Sequence, residues 1–193
     1  METTRLMANW YSEQLTNNNY LSPIGFLFIL EKARKVSFLC QKAEIPTFSI
    51  SEIQVPTPGF VQLASPDGQS TFANLTLDFI VDENLENYMQ IHNWMRAIAT
   101  PDDYEDRFNW IDDKVDIRTS QPRPNTLLTD GTLQVLNNNN QTNFEVRFRD
   151  MFPISLSSLP FDVSQSDNDY FTASVTFRYT VYDVLNVNTS TRR

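Results

Sequence analysis

Three sets of side chains in this sequence have the chemistry to act on a substrate or hold an ion. His92 is the one histidine. An imidazole changes charge near neutral pH and can work as a general base. It sits beside an apolar stripe, flanked by Tyr88 and Trp94. No nucleophile stands at a recognisable spacing from it, so the plainer reading is a helix residue that hydrogen-bonds locally. Cys40 is the one cysteine, which excludes an internal disulfide. A reactive thiolate needs a base beside it, and Cys40 ends the apolar run Val36-Ser-Phe-Leu-Cys40, so an inert core thiol is expected. The pairs Asp102, Asp103 and Asp112, Asp113 could bind a divalent cation. They lack the Asp-x-Asp-x-Asp-Gly order of a calcium loop and read as a solvated acidic segment. There is no Gly-rich phosphate loop, no Cys/His metal spacing and no Gly-x-Ser-x-Gly elbow. The expectation is a protein that is not an enzyme, with no catalytic residue, no metal and no cofactor.

The elements around these residues are those of a β-rich domain. A chain of 193 residues fits one domain, or one domain with an embellishment. At 40% apolar residues it can bury a substantial core, and 14 Phe and 7 Tyr against 4 Gly suit strands. The 24 acidic residues outnumber the 15 basic ones, giving a net charge of -9. That argues against wrapping nucleic acid by phosphate neutralisation, although nucleic acid could still pass without adhering. No basic-then-apolar leader opens the sequence and no apolar run is long enough to span a membrane as a helix, so a soluble, cytosolic product with no membrane partner is expected.

Residues 1–23 read as a polar arm. Gly25-Phe-Leu-Phe-Ile-Leu30 and Val36-Ser-Phe-Leu-Cys40 read as two strands of a hairpin about the basic turn at 32–35. The prolines at 46–58 make that stretch an edge strand or loop, and Ser65-Pro-Asp-Gly68 reads as a turn. Leu75, Leu77, Phe79 and Val81 alternate along a strong strand, with Asp78 on its other face. One helix follows, with Asp82 or Asn84 as its N-cap. Its stripe of Leu85, Tyr88, Met89, Ile91, Trp94, Met95 and Ile98 has helical spacing, and Tyr88, Trp94, Met95 and Ile98 are expected to pack it against a sheet. Residues 101–131 are acidic and long for a connection, which suggests a functional excursion. Segments 132–136 and 144–149 flank an Asn-rich tip and read as a hairpin with a mobile turn. From Tyr170 to Tyr182 the sequence alternates over an unusually long strand. Ala173, Val175, Phe177, Tyr179 and Val181 make its dry face; Thr172, Ser174, Thr176, Arg178 and Thr180 make its wet one. The fold class expected is mainly β (α+β): two packed antiparallel sheets forming a sandwich or partial barrel with one flanking helix.

The order of these elements resembles the tail tube fold of contractile-tailed bacteriophages. Four groups carry the resemblance. Phe26-Leu-Phe-Ile-Leu30 with Phe38-Leu-Cys-Gln-Lys-Ala-Glu-Ile-Pro46 is similar to the family's first hairpin and its apolar-Pro corner. Leu75-Thr-Leu-Asp-Phe-Ile-Val-Asp82 followed by Tyr88-Met-Gln-Ile-His-Asn-Trp-Met95 resembles its strand-then-helix unit. Phe152-Pro-Ile-Ser-Leu-Ser-Ser158 resembles its bridge. Asp167-Asn-Asp169 with Phe171-Thr-Ala-Ser-Val-Thr-Phe-Arg-Tyr179 resembles its closing strand. The likeness covers residues 24–183, with the arm at 1–23 before it, the insertion at 101–131 within it and a tail at 184–193 after it.

The resemblance implies a structural virion protein, made in the host cytoplasm and built into the phage tail. Homohexameric rings would stack into a tube inside the sheath, held to baseplate or hub proteins, with DNA passing through the lumen unbound. Six copies at -9 would give 6 × -9 = -54 per ring, a field that would repel the DNA backbone. Thr172, Ser174, Thr176, Arg178, Thr180 and Asp78 become the lumen-facing candidates, and the N-terminal arm, the loop at 46–70 and the insertion at 101–131 become the candidates for inter-ring or sheath-facing contacts. The length of 101–131 leaves open a baseplate tube initiator. A carbohydrate-binding β-sandwich, with Trp10 and Trp110 as exposed aromatics, is the alternative of another class.

Overall fold

A computed structural model describes residues 21–55, 59, 63–100 and 127–186, except 22, 32 and 162–169, together with Glu105, Arg107 and Trp110. Residues 1–20 of the arm, most of the 101–131 insertion, the turn at 167–169 and the last residues of the tail lie outside that set.

The elements run β1 (Phe26–Leu30), α1 (Arg34–Phe38), β2 (Cys40–Ala43), β3 (Phe48–Val55), β4 (Leu63–Phe72), β5 (Leu75–Ile80), α2 (Glu86–Ala99), β6 (Thr129–Leu136), β7 (Thr142–Leu156), β8 (Thr172–Arg178) and β9 (Val181–Asn186). Seven strands pair antiparallel in the order β1-β6-β7-β8-β5-β2, with β9 also on β7, while β3 and β4 form a separate ribbon. The organising strand is β7, with 15 residues. Its first part pairs with β6 and β9, and its last part with β8. Between them Asp150 takes φ 54, and the register against β6 shifts between Thr129 and Gly131. Such bulges bend a strand and tighten its twist. The sheet therefore divides into two halves that share β7, one made of β1, β6, β7 and β9, the other of β7, β8, β5 and β2. Among the described residues it stays open, with β1 and β2 at its ends.

Both halves turn their apolar faces to one core. Alternation buries Leu75, Leu77 and Phe79 in β5, Val146 and Phe148 in β7, and Ala173, Val175 and Phe177 in β8. α2 lays Ile91, Trp94 and Ala97 on this core. The Trp94 ring lies 5.9 Å from Phe177 and stacks on Trp110 at 5.9 Å, 6° from parallel. Its indole N–H donates to the Leu127 carbonyl at 2.7 Å, so the polar end of a fully buried ring is satisfied.

The helix begins one step later than its capping signal. Leu85, at φ 59, precedes it. The Asp82 carboxylate reaches forward and accepts from Asn84 N–H and Glu86 N–H, each at 3.3 Å. Buried Asn87 ties the first turn to β5, donating to the Ile80 carbonyl at 2.8 Å and accepting from Tyr88 N–H at 2.8 Å.

Three local readings change. The segments at 25–30 and 36–40 do not pair with each other: β1 pairs with β6, β2 pairs with β5, and α1 lies between them. Ala33 and Val36, three apart, are both fully buried, and Leu30 N–H donates to Ser37 Oγ at 3.0 Å. A five-residue apolar run is too short for its period to separate helix from strand. The stretch 65–68 is no chain reversal but lies inside β4, where Gly68 at φ 80 sits in a bulge opposite Ile50 and Glu52. The closing strand is two strands, broken at Tyr179 and Thr180. Val181 pairs with exposed Arg149 while Tyr182 pairs with buried Phe148, so the inward face switches across the break and Val181 leaves it. The break lies opposite the bulge at Asp150, where Thr180 N–H donates to the Arg149 carbonyl at 3.0 Å. β6 and β7 form the hairpin the sequence predicts, and its tip is fastened by Asn137, whose Oδ1 accepts from Asn139 N–H at 2.9 Å and Gln141 N–H at 3.0 Å. β9 runs to Asn186, into the stretch read as tail.

Candidate functional site

The residues singled out on the closing strand gather on one face of the β2-β5-β8-β7 half. Cross-strand partners share a face. Thr76 faces Thr176, Asp78 faces Ser174, and Ile80 faces Thr172. β2 adds Lys42 beside Asp78, and β7 adds Ser155 beside Thr176 and Phe152 beside Arg178. Thr172, Ser174, Thr176, Arg178 and Asp78 thus form one surface rich in hydroxyls, directly behind the buried row of Ala173, Val175 and Phe177. Arg178 donates to Asn74 Oδ1 at 3.1 Å, which holds it at the rim. Thr180 is not part of the row, because it sits exposed at the break.

The charge of this surface differs from the acidic field expected for it. Its charged groups are Lys42, Asp78 and Arg178, and Lys42 pairs with Glu44 at 2.7 Å. The surplus of carboxylates is therefore not concentrated there. Cys40 lies half-buried on β2, and burial pushes its thiol up to about 11, so it is neutral at pH 7.

The four helix residues sit on the opposite side. Trp94 is buried, and Tyr88, Met95 and Ile98 pack against the core around it. The Tyr88 hydroxyl donates to the Ser157 carbonyl at 3.0 Å, joining α2 to the end of β7. His92 is half-buried on α2. Among the described residues no three His, Cys, Asp or Glu side chains are placed to hold a metal ion; the pairs at 102–103 and 112–113 lie outside them. Trp110, taken as an exposed aromatic in the carbohydrate reading, is only 7% exposed and lies against Trp94, so it offers no platform to a sugar. Trp10 lies outside the described residues.

The outer face of the other half is charged but internally paired. Glu145 accepts from Gln134 Nε2 at 3.0 Å and from Arg147 at 2.9 Å, and Arg149 donates to buried Asp183 at 2.6 Å.

A third surface falls largely in 46–70, read from the sequence as a contact loop, but its paired strands and its apolar side chains escaped that reading. The ribbon β3–β4 projects from the sheet with almost every residue exposed. It carries Phe48, Ile50, Ile53, Val55 and Leu63, which are between 43% and 59% exposed. Val55 faces Leu63 and Ile53 faces Ser65 near the tip, while Phe48 faces Phe72 at the root. The signal was present in Phe48 and Ile50 followed by Ile53 and Val55, and the prolines left it open as an edge strand or loop, without its pairing to 63–72. A lone two-stranded ribbon is marginal in water, and several exposed large apolar side chains on it are a feature common to interaction surfaces.

The phage tail tube protein family matches residues 7–185 of the chain. Among solved structures, the chain is similar to the tube-terminating cap of the anti-feeding prophage, with TM-score 0.56 and 15% identity over 91% of this chain and 97% of that one. It is similar to a chain of the anti-feeding prophage baseplate, with TM-score 0.56 and 12% identity over 89% and 99%. It is also similar to a chain of the sheath–tube complex of PVC, an extracellular contractile injection system, with TM-score 0.52 and 17% identity over 88% and 94%. At these identities the likeness is one of fold. Comparison with curated proteins gives no match.

Proposed function

Because the chain belongs to the phage tail tube protein family, we propose that it forms homohexameric rings that stack into the tube of a contractile tail, with no reaction of its own. The observation that carries this reading is the open sheet. Its end strands β1 and β2 leave backbone donors and acceptors without a strand partner among the described residues, and joining edges between copies removes that liability. A closed ring of copies would turn one face of each sheet to a channel. The row of Thr172, Ser174, Thr176 and Asp78 suits that face, since its other side is committed to the core. Adhesion to passing DNA would stay low because the surface is hydroxyl-rich and has little net charge, without requiring the -54 field.

In the same proposal the ribbon β3–β4 and the arm at 1–23 reach the neighbouring ring, and the outside meets sheath proteins. The solved relatives support this setting, since they come from a sheath–tube complex, a baseplate and a tube cap. Those last two also support a second reading, a baseplate tube initiator or a cap at a tube end. Copy number per particle separates the readings: many rings for the tube, one for an initiator or cap. The tube-like domain read at 24–183 extends to Asn186 with β9 in either case, and the insertion at 101–131 is proposed as an inter-ring or sheath-facing contact. The first test is microscopy of the purified protein for rings or tubes.

A further inference from the structure

The ribbon β3–β4 leaves the body of the protein through two chain segments, and a tyrosine hydroxyl holds each of them. Tyr179 donates to the carbonyl of Ala73, just after β4, at 2.7 Å. Tyr182 donates to the carbonyl of Pro46, just before β3, at 3.3 Å. Ala73 N–H donates to the Thr47 carbonyl at 3.0 Å and fastens the two roots together. Phe72, the last residue of β4, fills the space between the tyrosines. Its ring is edge-on to both, 6.2 Å from Tyr179 and 5.4 Å from Tyr182, and lies 5.0 Å from Phe48. Phe148 of β7 supports the cluster from the core, 5.1 Å and 5.8 Å from the two tyrosine rings.

This arrangement gives the break between β8 and β9 a purpose. In an unbroken strand residues three apart point to opposite faces. The break brings Tyr179 and Tyr182 to the same side, with ring centroids 6.1 Å apart. We infer that Tyr179, Tyr182 and Phe72 form a clamp that fixes the direction in which the ribbon projects, and so pre-organises it to dock on a second copy of the chain. Holding a docking segment in its bound direction removes the ordering cost from the association step. The inference rests on the proposed docking role of the ribbon for its consequence, but not for its geometry.

The test uses the full chain with Tyr179→Phe, Tyr182→Phe and both together, changes that remove one oxygen each. Tyr88→Phe is the control, because its hydroxyl holds Ser157 on another side of the fold. Amide exchange in 48–55 and 63–72 should rise on the order of tenfold in the double variant, while exchange in β5 and β8 stays unchanged. The concentration needed for self-assembly should rise by a similar factor, and Tyr88→Phe should move neither. Unchanged ribbon exchange, or a rise shared equally by β5 and β8, overturns the clamp. If the double variant does not fold, Tyr182→Phe alone decides by the same two readouts. Ile53→Ser with Leu63→Ser tests the docking role separately: normal assembly of that variant would remove the role while leaving the exchange result to judge the clamp.

Discussion

Trp94 joins three parts of the fold: it lies on α2, its ring packs between Phe177 and Trp110, and its N–H is taken by Leu127. Trp94→Ala should destabilise the protein by about 3–5 kcal/mol in chemical denaturation, the usual range for removing a buried aromatic ring. Trp94→Phe should cost less, about 1–3 kcal/mol, because most of the packing remains while the Leu127 carbonyl loses this donor. Tyr179 gives a pH test. Burial, helped by the nearby Tyr182, pushes its phenol from the ordinary 10.0 up to about 12. The folded state therefore holds the proton more tightly than the unfolded chain. Its contribution is fully present below pH 10 and is lost as pH rises toward about 12, since unfolded molecules ionise first. Thermal unfolding followed across that window should show a shallower alkaline decline for Tyr179→Phe than for the unaltered protein. Equal declines would show that Tyr179 ionises alike in both states. The same residue shows what sequence pattern conveys: alternation places Tyr179 inward, but nothing in it foretells that Tyr182 also turns inward.

The elements legible in the sequence are those whose period is long and whose partners are near. β5 and α2 follow from the alternation of Leu75, Leu77 and Phe79 and from the helical stripe through Trp94. The hairpin of β6 and β7 follows from two strands flanking an Asn-rich turn. What stayed hidden depends on long-range pairing. α1 is a single turn held by burial of Ala33 and Val36. The break at Tyr179 and Thr180 answers a bulge in β7, about thirty residues earlier in sequence, and no local signal reports it. The bulge at Gly68 uses the same residues that make a turn elsewhere, so composition alone reads it as one. The prolines left β3 open as an edge strand or loop, and the turn read at 65–68 hid its partner β4 and with it the exposed apolar side chains. At this scale Ile53→Ser with Leu63→Ser should leave the thermal midpoint within a few degrees, because neither residue contributes to the core. It should strongly reduce self-association in sedimentation velocity. A folded variant that associates as well as the original would assign these side chains another partner.

The molecule as a whole combines a core shared by two sheet halves, two sheet ends without a strand partner among the described residues, a hydroxyl-rich face and a projecting ribbon with exposed apolar side chains. The core accounts for stability, and in the proposed tube the remaining three features would serve repetition of the same subunit around an axis and along it. Deletion of residues 1–20 should leave a folded subunit and weaken stacking more than ring formation, as read by the ratio of single rings to stacks. The fold class and the family were legible from the order of elements, and 46–70 was legible as a contact segment, whereas its exposed apolar side chains were not, because a sequence pattern reports which residues leave water more readily than which wait to do so. The central claim is best tested by electron microscopy of the purified full-length protein with rotational classification. The account predicts rings with sixfold symmetry and a central opening, stacking into hollow tubes as concentration rises. A protein that stays monomeric at every concentration tested, or closes into rings of another symmetry, would contradict it.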